Sequence, residues 1–90
     1  MGRLQFTENA WDDYLQWSTN DKKTANKINK LIKDILRNGV STGEGKPEAL
    51  RGDFNGFYSR RINEKDRIVY RSLDNGDIEI AACKGHYDDK

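Results

Sequence analysis

The fold is decided by residues 57–84, whose sequence is FYSRRINEKDRIVYRSLDNGDIEIAACK. Apolar β-branched and aromatic residues alternate here with charged residues, which is typical of strands that are buried on one face. The pattern predicts three strands, Phe57–Ile62, Arg67–Leu73 and Ile78–Cys83. Asn75-Gly76, between the last two strands, is a strong signal for a two-residue hairpin turn. We therefore expect this stretch to form an antiparallel sheet.

The turns set the register of this sheet. A two-residue turn at Asn75-Gly76 predicts four pairs: Leu73 with Ile78, Arg71 with Ile80, Val69 with Ala82, and Arg67 with Lys84. The turn between the first two strands leaves alternatives. A three-residue loop at residues 63–65 would place Arg61 directly across from Arg67, whereas a two- or four-residue loop would place them on opposite faces. We prefer the first, because paired arginines are the usual device for binding a phosphate.

Two helices are expected before these strands. Leu4 and Phe6 alternate with polar residues, which predicts a short strand, and Thr7 is a suitable N-cap for a first helix. A polar break at Asn20-Asp21 offers a cap for a second helix. The apolar residues that recur at helical spacing in the second helix are Ile28, Leu31, Ile32, Ile35 and Leu36. We expect helices over about residues 8–38, with this apolar face packed on the C-terminal strands.

The composition indicates one domain, residues 1–90. A chain of this length cannot support two cores, and 10% aromatic residues argue for a folded one despite a mean hydropathy of -1.01. The aromatic residues expected in that core are Trp11, Tyr14, Trp17 and Phe57. No apolar run is long enough to span a bilayer and no leader pattern is present, so we expect a cytoplasmic protein. Cys83 is the single cysteine, which predicts a small buried side chain and excludes an intramolecular disulfide.

The charges are unevenly distributed along the chain. The formal net charge is only +1, so an argument for nucleic-acid binding must come from the arrangement of the charges. Six cations fall on residues 22–37, and seven more fall on residues 46–71. The first group is by default the solvated face of an amphipathic helix.

Several residues could carry chemistry. Residues 40–56 predict a long glycine-rich loop in which Pro47 stiffens the chain beside Glu48. The predicted strands bring Arg61 and Arg67 together, and Arg67 lies beside the residues that lead to His86-Tyr87. RNA supplies its own nucleophile, the 2'-hydroxyl, so its cleavage needs a base, an acid for the leaving 5'-oxygen, and cations for the phosphate charge. These side chains offer all three without a metal ion.

Each of these residues also has an ordinary interpretation. A histidine near a C terminus is more often a solvated surface residue than a catalyst, and a glutamate in a loop is nearly always exposed. Arg60-Arg61 could be a charged pair on an exposed strand. In the functional interpretation, Tyr87 could stack on a base or hydrogen-bond the phosphate. Spacing alone does not decide between these interpretations.

A series of motifs in this order resembles the YoeB branch of the RelE-like toxins, from about Leu4 to Tyr87. The matching segments are WDDYL at 11–15, KIN at 27–29, LIKD at 31–34, GKPE at 45–48, GF at 56–57, SRRI at 59–62, Arg67, VY at 69–70, AAC at 81–83 and HY at 86–87. The resemblance implies a RelE-like α+β fold, with two N-terminal helices packed on a twisted antiparallel sheet in the order β-α-α-β-β-β. It also implies the toxin of a type II toxin-antitoxin system that cleaves mRNA in the ribosomal A site as a metal-free endoribonuclease.

By position, Glu48 resembles the general base of that family and His86 its general acid. Arg61 and Arg67 resemble its phosphate-stabilising arginines, and Tyr87 its terminal tyrosine. The cations expected to bind RNA or the ribosome are Lys46, Arg51, Arg60 and Lys84. The sequence departs from the family in the acidic extension Asp88-Asp89-Lys90, in residues 41–45, and in Arg51 where a lysine is common. These differences bear on the rate and sequence preference more than on the type of reaction.

The resemblance further implies partners. It implies an antitoxin similar to YefM, a homodimer, and binding of operator DNA only as the toxin-antitoxin complex, with no cofactor and no metal. Two other functions are weighed against it. A ParE-like toxin would share the fold and would bind a DNA topoisomerase without catalysis, but such chains lack the set of Glu48, the arginines and His86-Tyr87. A small basic RNA-binding module would bind RNA without cleaving it.

Overall fold

The computed structural model describes residues 2–85, in which two helices pack on one face of a five-stranded sheet. The chain forms, in order, β1 (Leu4–Phe6), α1 (Glu8–Asn20), α2 (Lys22–Asn38), β2 (Glu48–Ala49), a 3-10 turn (Gly52–Phe54), β3 (Tyr58–Arg61), β4 (Arg67–Ser72) and β5 (Ile78–Ala82). The strands lie side by side in the order β1-β5-β4-β3-β2. The predicted helices and the three predicted C-terminal strands are confirmed.

The caps of both helices are those that the sequence predicts. Thr7 caps α1, because its hydroxyl accepts a hydrogen bond from the Ala10 amide at 3.1 Å. Asp21 ends α1 and begins α2: its amide donates to the Trp17 carbonyl, and its carboxylate accepts from the amide and the hydroxyl of Thr24. Gly39 ends α2 at a φ of 91°, which favours a residue without a Cβ.

The sheet is mixed, so the prediction of an antiparallel sheet is wrong at one edge, and the other edge carries a strand that was not predicted. β1 runs parallel to β5, with Leu4 opposite Ile78 and Phe6 opposite Ile80. An alternation over three residues predicts a strand but indicates neither its neighbour nor its direction. The other edge is β2, which lies within the predicted loop and pairs with β3. Two residues are too few to produce an alternating pattern.

The predicted register of the β4–β5 hairpin is only partly right. The loop has three residues, 74–76, because the Leu73 amide donates to the Asp77 carbonyl and the Gly76 amide to the Leu73 carbonyl. The pairs nearest the turn are therefore Ser72 with Ile78, Arg71 with Glu79 and Tyr70 with Ile80. An irregularity between Val69 and Tyr70 then restores the predicted pair of Val69 with Ala82. The positive φ of Gly76, 88°, suits the last position of a three-residue loop.

The β3–β4 hairpin has the loop that the sequence analysis preferred. The Ile62 amide donates to the Asp66 carbonyl at 3.0 Å, so residues 63–65 form a three-residue loop. Arg61 consequently lies opposite Arg67. Asn63 fixes the loop, because its side-chain oxygen accepts hydrogen bonds from the amides of Lys65 and Asp66.

The core lies between α2 and the sheet. The apolar face of α2 packs with the inner residues of the strands, and the buried members of this cluster include Ile28, Leu31, Ile32, Ile35, Ile68, Tyr70, Ile80 and Cys83. Two predictions are wrong: Leu36 is 48% exposed and Trp11 is 47% exposed. Tyr14 and Trp17 are half-buried against this core, and Phe57 packs on a smaller apolar cluster on the other face of the sheet. No helix within residues 2–85 is long and apolar enough to cross a membrane.

Cys83 has the predicted role of a small buried side chain. It is fully buried in the main core. Burial raises the pKa of its thiol to about 12, with smaller contributions from Asp13 and Asp66. Since the thiolate is the reactive form, this cysteine is chemically inert at neutral pH.

Candidate functional site

Three of the predicted catalytic residues share the sheet face that points away from the helices. Side chains of directly opposed residues lie on the same face of a sheet. Glu48 is paired with Ser59, and Arg61, two residues further along β3, is paired with Arg67. Glu48 and Arg61 are exposed and Arg67 is half-buried. The register therefore gathers one acid and two guanidinium groups on the β2-β3-β4 side of the sheet.

Arg67 lies at the open end of the β4–β5 hairpin, as predicted. Its amide donates to the Gly85 carbonyl at 2.9 Å, and the Asp66 carboxylate accepts from the Gly85 amide at 2.8 Å. Residues 66–67 thus hold the last described residue in two hydrogen bonds. His86 and Tyr87, which follow directly, lie outside the described residues. The contact of Asp66 with Gly85 was not predicted, because an acid in a turn carries no signal of its long-range partner.

The turn also fixes the guanidinium group of Arg67. Its Nη1 donates to the carbonyl oxygens of Asn63 at 2.8 Å and Asp66 at 3.2 Å. These bonds hold the group beside the β3–β4 turn and the end of the described chain. Arg61 and Arg67 bring two like charges into opposition, which is unfavourable unless an anion lies between them.

The segment before Glu48 is shaped by backbone geometry. Lys46 has a φ of 54°, in the left-handed region, and Pro47 follows it. The Gly45 carbonyl accepts a hydrogen bond from the Arg61 amide at 2.7 Å, so this segment runs along the edge of β3 before β2 begins. Glu48 accordingly lies on a short edge strand, whereas the sequence analysis placed it in a loop.

The four predicted RNA-binding cations have different surroundings. Lys46 and Arg51 are exposed. Lys84 packs on α1, where its ammonium group donates to the Gln16 side chain at 2.8 Å and lies 6.0 Å from the centre of the Trp17 ring. Arg60 is fully buried, so its prediction as an RNA ligand is wrong.

Arg60 instead anchors the segment that follows α2. Its five N–H groups all have acceptors: the Tyr70 hydroxyl, the Asp34 carboxylate, and the backbone carbonyls of Gly39, Thr42 and Glu44. We call these groups the Arg60 cluster. The cluster ties β3 and β4 to the C-terminal end of α2. The alternation of Tyr58, Arg60 and Ile62 places Arg60 on the apolar face of β3, which is the sequence signal for this role.

The Arg60 cluster shifts the pKa values of its members. The hydrogen bond from Arg60 lowers the pKa of Asp34, and a hydrogen bond from the Glu44 amide lowers it further. Burial raises the pKa of the Tyr70 hydroxyl, although Arg60 opposes this. The Tyr70 hydroxyl also donates to the Val40 carbonyl at 2.6 Å. The segment from Gly39 to Glu44 is therefore held in place by both side chains.

The described part of the chain contains no group of three or more His, Cys, Asp or Glu side chains arranged to hold a metal ion. On the exposed face of β2, β3 and β4, Glu48, Arg61 and Arg67 together offer one carboxylate and two guanidinium groups. Such a set can accept a proton and bind an anionic phosphate.

Comparisons with known proteins agree on one family. Residues 6–87 match the model of the YoeB-like toxin of bacterial type II toxin-antitoxin systems. The chain is 48% identical to toxin YoeB of Escherichia coli K12 over 85 residues, which cover 94% of this chain and 99% of that protein. It is 44% identical to toxin RelK of Mycobacterium tuberculosis over 87 residues, 97% of this chain and 98% of that one.

Solved structures give the same result. The fold is similar to that of a chain in the heterotetrameric YoeB-YefM toxin-antitoxin complex of Staphylococcus aureus, with a TM-score of 0.87, 48% identity, and coverage of 97% of this chain and 99% of that chain. A YoeB dimer from the same organism matches with the same TM-score and identity, over 96% and 98% of the two chains. YafQ of Escherichia coli shares the fold alone, at 12% identity and a TM-score of 0.77 over 96% and 94% of the chains.

Proposed function

Because the chain belongs to the YoeB-like toxins of bacterial type II toxin-antitoxin systems, we propose that it is a ribosome-dependent endoribonuclease that cleaves mRNA in the ribosomal A site and so inhibits translation. One observation carries the proposal. Glu48, Arg61 and Arg67 share one sheet face, and Arg67 lies at the open end of the β4–β5 hairpin, next to Gly85, which precedes His86 in the sequence. A protein that acts on translating ribosomes acts in the cytoplasm, so the proposal includes this location.

In the proposed reaction the 2'-hydroxyl of the RNA attacks the adjacent phosphate. Glu48 accepts the proton of that hydroxyl, and His86 donates a proton to the 5'-oxygen that leaves. The bond from the 2'-oxygen to phosphorus forms as the bond to the 5'-oxygen breaks, which gives a 2',3'-cyclic phosphate and a 5'-hydroxyl. No metal ion takes part.

The two arginines stabilise the extra negative charge that develops on the phosphate. A phosphate between Arg61 and Arg67 would relieve the repulsion of two opposed guanidinium groups, and each can bind its oxygens with forked hydrogen bonds. The turn carbonyls that hold Arg67 orient it before the substrate binds, so little ordering remains for the reaction itself. Tyr87 stacks on a base next to the cleaved bond or hydrogen-bonds the phosphate.

We further propose that the chain forms a homodimer and is neutralised by a YefM-like antitoxin, with operator DNA bound only by that complex. The structures of the YoeB-YefM heterotetramer and of the YoeB dimer support the antitoxin and the homodimer, since both contain chains 48% identical to this one. Mixing the toxin with its antitoxin should produce a larger complex in size-exclusion chromatography and abolish cleavage. Loss of cleavage without complex formation would contradict the proposal.

The function is tested by incubating the protein with translating ribosomes and a defined mRNA, and by mapping both ends of each cut. The expected ends are a 2',3'-cyclic phosphate, or the 3'-phosphate formed when it opens, and a 5'-hydroxyl. His86→Ala and Arg67→Ala should each lose cleavage, whereas Lys30→Ala, an exposed change on α2, should retain it. Wild-type cleavage by both site variants would overturn the mechanism. Inhibition of a DNA topoisomerase without any cleavage would support the ParE-like alternative.

A further inference from the structure

A basic groove lies beside the exposed face that carries Arg61. It has a volume of about 380 Å³, and its walls come from α2, from the segment before β2, and from the β3–β4 turn. The residues that line it include Lys27, Gly45, Lys46, Arg61, Asn63 and Glu64. Three cations and one acid therefore contribute to the lining of a single groove.

The backbone on one side of this groove is closely packed. A Cβ atom at Gly45, where φ is 82°, would lie 3.0 Å from a Leu31 methyl group and 3.1 Å from the Arg60 Cβ. The Gly45 carbonyl is also bonded to the Arg61 amide. This side of the groove is consequently fixed by the core and by the Arg60 cluster. The opposite side is fixed by the side-chain hydrogen bonds of Asn63 within its turn.

The groove is continuous with the proposed catalytic face. Arg61 lines the groove and carries its side chain on the catalytic face, and Asn63, which also lines the groove, accepts a hydrogen bond from Arg67 Nη1 through its carbonyl oxygen. A strand of RNA whose reacting phosphate lies between Arg61 and Arg67 would therefore leave the site along the line of Lys46 and Lys27. The phosphates of a nucleic-acid backbone are recognised mainly by such positive side chains, without sequence preference.

We propose that this groove binds the phosphate backbone of RNA next to the cleaved bond, with Lys27 and Lys46 as phosphate ligands. The inference rests on the proposed function and adds to it the path of the substrate. Glu64 limits the affinity, since its carboxylate repels the same phosphates.

An acidic protein segment fits this groove less well than RNA. Protein partners are generally anchored by apolar and aromatic side chains in the centre of the interface. The apolar side chain that lines the groove belongs to Ile62, which is buried. Exposed apolar residues instead line a separate depression, among them Leu4, Trp11 and Leu36. The basic groove offers mostly charge and backbone, which suits a polyanion.

The test measures binding of a short single-stranded RNA in which every 2'-hydroxyl is methylated, so that it cannot be cut. Fluorescence anisotropy at several salt concentrations gives both the affinity and its salt dependence. Lys27→Ala and Lys46→Gln should each weaken binding about three- to tenfold and lower the slope against log salt by ~0.7. Glu64→Gln should strengthen binding. Lys30→Ala, one turn along α2 and outside the groove, is the matched control and should change neither value.

Two further binding experiments identify which kind of molecule supplies the phosphates or other anions that the groove binds. In the first, ribosomes without message replace the RNA, and a loss confined to this experiment would assign the phosphates to ribosomal RNA. In the second, a polyglutamate peptide replaces the RNA, and equal affinity with equal losses would overturn the assignment in favour of an acidic protein. The proposal also fails if Lys27→Ala and Lys46→Gln bind RNA and ribosomes as the Lys30→Ala control does.

These measurements are independent of cleavage, because the methylated RNA lacks the nucleophile. A wild-type protein that cleaves mRNA while the groove variants bind normally would refute the groove alone. A protein that never cleaves, yet shows the expected losses of binding, would refute the proposed reaction and leave the groove in place.

Discussion

Arg60 and Arg61 are neighbours in β3, yet they occupy opposite environments. Arg60 points toward the helices, is 0% exposed, and has an acceptor for each of its five N–H groups. Arg61 points to the other face, is exposed, and lies opposite Arg67. The comparison shows that the same side chain stabilises the fold on one face of the strand and is available to an anionic ligand on the other.

The difference follows from the cost of burying a charge. A guanidinium group can leave water only if a counter-ion and further acceptors replace its hydration, and the Arg60 cluster supplies both. No such cost applies to Arg61. Its position opposite a second arginine adds a repulsion that disfavours folding and that a phosphate bound between the two would relieve.

The largest effect on stability should come from replacing Arg60, the buried arginine of this pair. Arg60→Ala removes one of the donors to the Asp34 carboxylate and the donor that Arg60 provides to three carbonyl oxygens, so it should lower the free energy of unfolding by about 3 to 5 kcal/mol. Arg61→Ala, its exposed neighbour, should change it by less than about 0.5 kcal/mol. Urea denaturation of both variants measures the contrast. Equal losses would show that the Arg60 cluster does not stabilise the fold.

A second contrast compares two leucines on α2. Leu31 is fully buried in the main core, whereas Leu36 is 48% exposed. Leu31→Ala should cost about 2 to 5 kcal/mol through lost burial and a residual cavity. Leu36→Ala should cost under about 1 kcal/mol, because alanine favours the helix and little apolar area leaves the core. Thermal unfolding that is unchanged in Leu31→Ala would contradict the packing of α2 on the sheet.

The role of the residues on the exposed face of the sheet is tested by measuring catalysis. His86→Ala and Arg67→Ala should each slow single-turnover cleavage by ~10²-fold or more, which corresponds to about 2.7 kcal/mol of the barrier. Glu48→Ala should have a smaller effect, since another group can partly replace a base at an exposed edge. Quench-flow on ribosome-bound mRNA measures these rates. Arg60→Lys provides the complementary readout: any loss of rate should accompany a loss of stability that His86→Ala does not show.

Much of this division could be predicted from the sequence. The alternation around Arg60 and Arg61 shows that they lie on opposite faces, and the apolar neighbours Tyr58 and Ile62 indicate which of the two is buried. The preference for a three-residue loop correctly placed Arg61 across from Arg67. The prediction that Arg60 binds RNA nevertheless rested on the charge of Arg60 and disregarded the face of β3 on which it lies.

Other features depend on contacts between distant parts of the chain and could not be predicted. The parallel pairing of β1 with β5 is supported by Asp77, whose carboxylate accepts hydrogen bonds from Arg3 and Gln5. No local pattern near Asp77 indicates those partners. The exposure of Leu36 could not be predicted either. The periodicity of α2 defines an apolar face, but it does not show where the sheet beneath that face ends.

The smallest expected effect is a dependence of stability on pH that arises at Asp34. Hydrogen bonds, first from Arg60 and then from the Glu44 amide, lower the pKa of this carboxyl below its usual value of 3.8. A group whose pKa is lowered in the folded state stabilises the fold above its unfolded pKa and loses that contribution as the pH falls through the folded pKa. The contribution of Asp34 should therefore be complete at neutral pH and should disappear in the range below 3.8. Its carboxylate is partly exposed, so solvent screening keeps the effect small.

The matched comparison is Asp34→Asn with Asp12→Asn, an exposed change on α1. Urea midpoints of both variants and the wild type are measured from neutral pH downward. Asp34→Asn should be less stable than the wild type at neutral pH, and the gap should close in acid as the wild-type carboxyl becomes protonated. Asp21 and Asp77, whose pKa values are also lowered, titrate alike in all three proteins and cancel in the comparison. A gap that is constant with pH would mean that Asp34 supports Arg60 by its shape and hydrogen bonds, and that its charge contributes nothing.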